Sequence, residues 1–124
     1  MKIIPLHCEY LEKRFHFVGG ATKNQVLKWM HKTYKPEQFS GDTDSDGSTW
    51  FWEKGGRAYI VVWVSNTLKK ADFVKTLYHE VAHAIFFLMK RAGVDPMDSY
   101  GEHFCYLQEY LFNQVVDKLK KPIK

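Results

Sequence analysis

Cysteine is scarce in this 124-residue chain: Cys8 and Cys105 stand far apart and share no paired spacing. That excludes a disulfide framework and a cysteine-based zinc knuckle, and both thiols are expected to be reduced and buried. Long apolar runs are missing too, since no stretch approaches the ~20 residues that a membrane helix needs. Met1–Glu9, interrupted by Pro5 and His7, is too short for a secretory leader. The expectation is a cytoplasmic protein with no membrane partner. Charge of one sign is only slightly in excess, at +4, and comes partly from the tail Lys118–Lys124, KLKKPIK. Such a tail reads as a solvated end and not as a nucleic-acid surface. What remains is one domain over residues 1–124, large enough to bury a core without metal or disulfide staples.

The stretch Thr76–Arg91, TLYHEVAHAIFFLMKR, places His79, Glu80 and His83 in the order H-E-x-x-H. Residues four apart on a helix stack one turn above another, so the two imidazoles project side by side and can share one metal ion. Glu80 points off to one side, which leaves its carboxylate free to act as a base on an activated water. Phe73, Val74, Leu77, Tyr78, Val81, Ala82, Ala84, Ile85, Leu88 and Met89 fall on one broad apolar arc. Asp72, Thr76, His79, His83 and Lys90 fall on the opposite arc. A helix buried along the first arc presents both histidines to a cleft.

The other segments supply a scaffold. Lys2–Leu6 and Lys13–Val18 have strand composition, and Gly19-Gly20 closes the second. Thr22 followed by Gln25 has the form of a capping box, which starts a helix running to Tyr34 with Val26, Leu27, Met30 and Tyr34 inward. Thr49–Trp52 and Arg57–Val64 flank Lys54-Gly55-Gly56 as a β-hairpin. Tyr59, Val61 and Trp63 alternate with Ala58, Ile60, Val62 and Val64, so the second strand should be covered on both faces. Asn66 or Thr67 can cap the long helix, and Gly93 ends it. After the turn-rich connector Ala92–Tyr100, a final helix over Gly101–Leu119 carries an apolar stripe of Phe104, Leu107, Leu111, Val115 and Leu119. These elements make an α+β domain: an N-terminal helix and a small, mostly antiparallel sheet, then the HExxH helix and a C-terminal helix.

Ser40–Ser48, SGDTDSDGS, is the one low-complexity stretch. Asp42, Asp44, Asp46, Gly47 and Glu53 fit the calcium-loop pattern D-x-D-x-D-G-x5-E. An EF-hand needs a helix on each side, however, and Thr49–Trp52 is aromatic and β-branched. Calcium is therefore the lesser reading beside a solvated acidic connector.

HEVAH, in a helix that follows the β-branched strand Tyr59–Val64, resembles the zincin metallopeptidases, in particular small zincins encoded by tailed bacteriophages. Glu102–Leu111, EHFCYLQEYL, is similar to the downstream segment E-x-[FY]-x-Y-L-x-x-Y-L of those phage proteins. The resemblance covers Tyr59–Leu111. It implies a minimal zincin-like fold, a zinc cofactor, a protein or peptide substrate, and substrate pairing along one strand of the hairpin. Catalytic zinc takes three protein ligands, which leaves Glu102 and His103 as rivals for the third place. The helix wheel does not separate them; the resemblance favours Glu102, the gluzincin arrangement. Tyr106 stands where gluzincins often have an acid that orients a histidine. In this reading Glu80 takes a proton from the attacking water and passes it to the leaving amine. Tyr100, Tyr106 and His103 are the candidate donors to the oxyanion. Two other readings stand beside it: a zincin-fold module that binds without cutting, and a DNA-associated metalloprotease of the SprT type, whose three-histidine site would require His103.

Overall fold

A computed structural model describes residues 1–8, 14–41 and 46–120, with the backbone alone for residues 99, 100 and 120. The elements are β1 (Lys2–Pro5), β2 (Phe15–Gly19), α1 (Lys23–Tyr34), β3 (Ser40–Gly41), β4 (Gly47–Lys54), β5 (Arg57–Val64), α2 (Lys70–Ala92), a 3-10 turn (Asp98–Gly101) and α3 (Glu102–Lys120). They form an α+β fold around a five-stranded mixed sheet in the order β1-β2-β5-β4-β3. Three pairings are antiparallel, as the sequence leads one to expect, while β2 lies parallel to β5. A parallel pair requires a long crossover, and α1 with the β3–β4 segment provides it. The predicted hairpin is present: β4 and β5 pair from Lys54↔Arg57 to Gly47↔Val64. Gly55 (φ 60°) and Gly56 (φ 75°) supply the two left-handed positions that such a tight turn demands.

The sheet separates two apolar layers. On one side α1 covers Val18, Val61, Trp63, Trp50 and Trp52. On the other, α2 and α3 cover Phe17, Ile60, Val62 and Val64. The strand β5 is thus buried on both faces, as its two-sided apolar pattern predicts. The indole N–H of Trp63 donates to the carbonyl of Ala21 at 2.9 Å, which satisfies the one polar group that this side chain brings into the core.

Thr22 and Gln25 close the capping box of α1 reciprocally, and Lys54 Nζ donates to the carbonyls of Tyr34 and Lys35 at its other end. The long helix departs from expectation at its start. Neither Asn66 nor Thr67 caps it; the N-cap is Lys69, with no side-chain cap. Thr67 is engaged one turn earlier, where its hydroxyl pairs with that of Ser65 at 2.9 Å and its N–H donates to the Ser65 hydroxyl. Gly93, at φ 73°, ends α2 as predicted, with its N–H and that of Val94 donating to the carbonyls of Lys90 and Met89. The final helix returns antiparallel beside α2: Tyr78 stacks on Phe112 at 4.0 Å and Phe86 meets Phe104 at 4.9 Å. Of the two thiols, Cys8 is buried as expected, but Cys105 is exposed, being one position off the apolar stripe of α3. Among the described residues no helix is long and apolar enough to cross a membrane.

Thr22→Ala removes half of the capping box and should cost about 1 kcal/mol of unfolding free energy, read from the urea midpoint. His16 sits among Trp29 and Tyr34, with the Tyr34 hydroxyl 3.3 Å from its Nδ1, and burial lowers its pKa. The unfolded chain then binds the proton first, so this contribution to stability is complete above about pH 6.5 and declines as the pH falls below it. The melting temperature of wild type should accordingly drop more steeply between pH 7 and pH 5 than that of His16→Phe; parallel curves would remove His16 from the account.

Candidate metal centre

The histidine pair is built by helix spacing alone. His79 and His83 are both exposed on α2, one turn apart, with their Nε2 atoms 3.2 Å from each other. Two nitrogens at 2.0–2.1 Å from one tetrahedral ion stand about 3.3 Å apart, so the pair fits a shared metal without rearrangement. Together with Glu80 they form a group whose possible ligand atoms all lie within 4.8 Å of one another, and this group could hold a metal ion.

Glu80 differs from the histidines in being fully buried. One residue along the helix from His79 is about 100° of rotation, which turns its side chain from the open face toward the sheet. There the Thr49 hydroxyl lies 2.8 Å from both the Glu80 carboxylate Oε1 and the Glu80 backbone carbonyl, and its single proton is shared between them. The approach requires Gly47. A Cβ at that position would lie 2.7 Å from Thr76 Cγ2 and 3.0 Å from Glu80 Cγ. Helix and strand could not then come so close. Neither Thr49 nor Gly47 is picked out as part of the site by motif. The available signal was the alternation on β4, which sends Thr49, Phe51 and Glu53 to the α2 side and Trp50 and Trp52 to the α1 side.

A groove of about 1060 Å³ runs from the histidines along α2. Its helix wall carries His79, His83, Phe86 and Lys90, and its sheet wall carries Thr49, Phe51 and Glu53. Strand and helix are joined by three successive rungs: Thr49 to Glu80, Phe51 stacked on Phe87 at 4.1 Å, and Glu53 accepting from Arg91 Nε at 3.0 Å. Of the hairpin strands, β5 is interior, and β4 is the outer one. Its edge is already taken at Trp50 and Phe51 by β3.

The rivals for third ligand are not brought to the histidines. Among the described residues the metal-binding group contains neither Glu102 nor His103. Both are exposed, on α3. Phe104 is what that helix turns toward α2, and Glu102, two residues earlier, is rotated about 200° away from it. Tyr106, two residues after Phe104, is 66% exposed. His103 lines a separate small cavity with Leu88, Met89 and Ala92, on the side of α2 opposite the histidine pair. The side chain of Tyr100 lies outside the described residues, as do Asp42 and Asp44. The calcium loop does not form around the other two acids. Asp46 immediately precedes the extended strand β4 and Glu53 stands near its far end, about 23 Å along the strand at 3.3 Å per residue. The Glu53 carboxylate is paired with Arg91 instead.

No family model, curated protein or solved structure matches the chain.

Thr49→Val keeps the shape of the side chain but withdraws a donor from a buried carboxylate, and should cost about 1–3 kcal/mol in urea denaturation. Gly47→Ala should destabilise by a similar ~1–3 kcal/mol through overpacking against Thr76 and Glu80. Wild-type midpoints in both variants would show that helix and strand do not meet here.

Proposed function

We propose that the protein is a zinc-dependent peptidase of minimal zincin type. The observation that carries this reading is the pair of Nε2 atoms 3.2 Å apart, with the Glu80 carboxylate beside them, at one end of a groove able to take an extended chain. His79 and His83 would hold the ion. A zinc ion so held supplies Lewis-acid activation of water near neutral pH. Glu80 performs the proton work: its carboxylate, oriented by Thr49, accepts the proton of the water that attacks the substrate carbonyl and returns it to the departing amine. Burial of this group keeps bulk water from competing for its proton and fixes its direction. Phe51, Phe86 and Phe87 give an extended substrate an apolar surface beside the reacting bond.

With Glu80 assigned as the base, no further His, Cys, Asp or Glu among the described residues joins the two histidines, and this favours a second reading in which the same fold holds an ion or a partner without cutting. The SprT-type reading has less support, because it needs His103 and that side chain lies across α2 from the pair.

Zinc per chain and peptide hydrolysis, measured on the same preparations, separate these readings. Purified protein should carry close to one zinc, and His83→Ala should lose it. Glu80→Gln should keep the zinc and lose hydrolysis by roughly 10²–10⁴-fold. Glu102→Ala and His103→Ala should both retain the metal; loss in the former would reinstate a gluzincin ligand set, and loss in the latter a three-histidine set. Full hydrolysis by Glu80→Gln would overturn the assigned role, and zinc without hydrolysis in wild type would select the non-cutting module.

A further inference from the structure

The groove is not uniform along its length. His79, His83, Phe86 and Lys90 recur at steps of four and three, so they make one exposed stripe along α2. The stripe begins with imidazoles, passes a phenyl surface and ends in a cation. Phe86 is 52% exposed in the middle section, where Phe51 and Phe87 stack beside it.

At the far end the two cations are differently placed. Arg91 is tied to Glu53, the one carboxylate among the described residues that line the groove. Lys90 is exposed and, among the described residues, forms no ion pair. The Arg91–Glu53 pair is neutral as a unit, so among the described residues that line this end of the groove the unbalanced charge is the positive one of Lys90. Lys90 lies seven residues beyond His83, about 10.5 Å along the helix axis. An extended peptide advances about 3.3 Å per residue, so the ammonium stands opposite a position some two to four residues from the group held at the histidines.

Resting on the peptidase reading, we infer that the groove selects peptides bearing a carboxylate two to four residues from the bond presented to His79 and His83. An apolar side chain between the two lies on Phe51, Phe86 and Phe87. The carboxylate comes either from an Asp or Glu side chain or from the C-terminus of the peptide, since Lys90 meets the same charge and the same acceptor oxygens in both.

The test is a binding measurement that does not depend on turnover. Fluorescently labelled peptides with a central Phe, and with Glu, Gln or Lys three positions further on, are prepared with either a free acid or an amide at the C-terminus. Anisotropy is measured on zinc-supplemented wild type, Glu80→Gln and Lys90→Glu. Wild type and Glu80→Gln should bind the Glu peptide about three- to fivefold more tightly than the Lys peptide, the size appropriate to one exposed ion pair. The difference should shrink as salt is raised. Lys90→Glu should reverse the order. Preference that survives amidation assigns the carboxylate to the side chain, and preference that follows the free acid in the Gln peptide assigns it to the terminus. Absent binding, equal affinities throughout, or an order unchanged in Lys90→Glu overturns the inference. An affinity order that holds while wild type cleaves none of the peptides overturns the peptidase reading and leaves the groove preference standing.

Discussion

A carboxylate packed completely between a helix and a sheet must be met by hydrogen-bond donors, or the cost of removing it from water will drive the two elements apart. In this fold the Thr49 hydroxyl meets Glu80, and the requirement reaches well beyond that contact. It sets the distance between α2 and β4, and Gly47 is the residue that permits the distance. It also fixes which face of α2 remains open. With Glu80 turned inward, His79 and His83 have no course but outward, into the groove. The chemistry attributed to the site is thus inseparable from how the helix is seated.

The histidine pair and the buried acid form a group of three that could hold a metal ion, with no further His, Cys, Asp or Glu beside them among the described residues. Helix α3 runs close by and meets α2 through Phe104 against Phe86, Gln108 donating to the Tyr78 carbonyl and Phe112 on Tyr78, while His103 and Leu107 line a small cavity with Leu88, Met89 and Ala92. Apolar stacking decides the rotation of α3, and that rotation carries Glu102 to the solvent side. A metal shared by the two histidines would therefore draw on Glu80, on water or on a bound chain to complete its shell.

Much of the scaffold was legible because it depends on local rules. The capping box at Thr22, the glycine hairpin at Gly55-Gly56, the stop at Gly93 and the two-sided burial of β5 follow from sequence neighbours and from period. The HExxH pair was legible for the same reason, since four-residue spacing on a helix needs no tertiary knowledge. What could not be read depended on how one element is rotated against another. Thr67 has the composition of an N-cap, yet Ser65 claims it. Glu102 and His103 border the same apolar stripe, and only the seating of α3 shows that His103 lies against Leu88 and Met89 and that neither residue joins the histidine group. The acidic spacing that mimics a calcium loop failed because the six residues between Asp46 and Glu53 run extended in β4 and part acids that a loop would gather. Thr49 carried no motif of its own; its role arises from a partner thirty-one positions away.

The strand β3 bears on access to the groove. It is two residues long, exposed, and lies against β4 beside the groove, whereas β5 is paired on both sides and covered on both faces. Amide hydrogens in β5 are held by the whole sheet, but those around Ser40 and Gly41 are held by a pairing that can be given up with the core intact. Peeling β3 away uncovers the β4 backbone at Trp50 and Phe51, next to Thr49. The stretch of chain that lines the groove at Ser40 and Gly41 is the shortest strand of the sheet and is held by one neighbour alone, so its amide hydrogens should exchange well before those of β5.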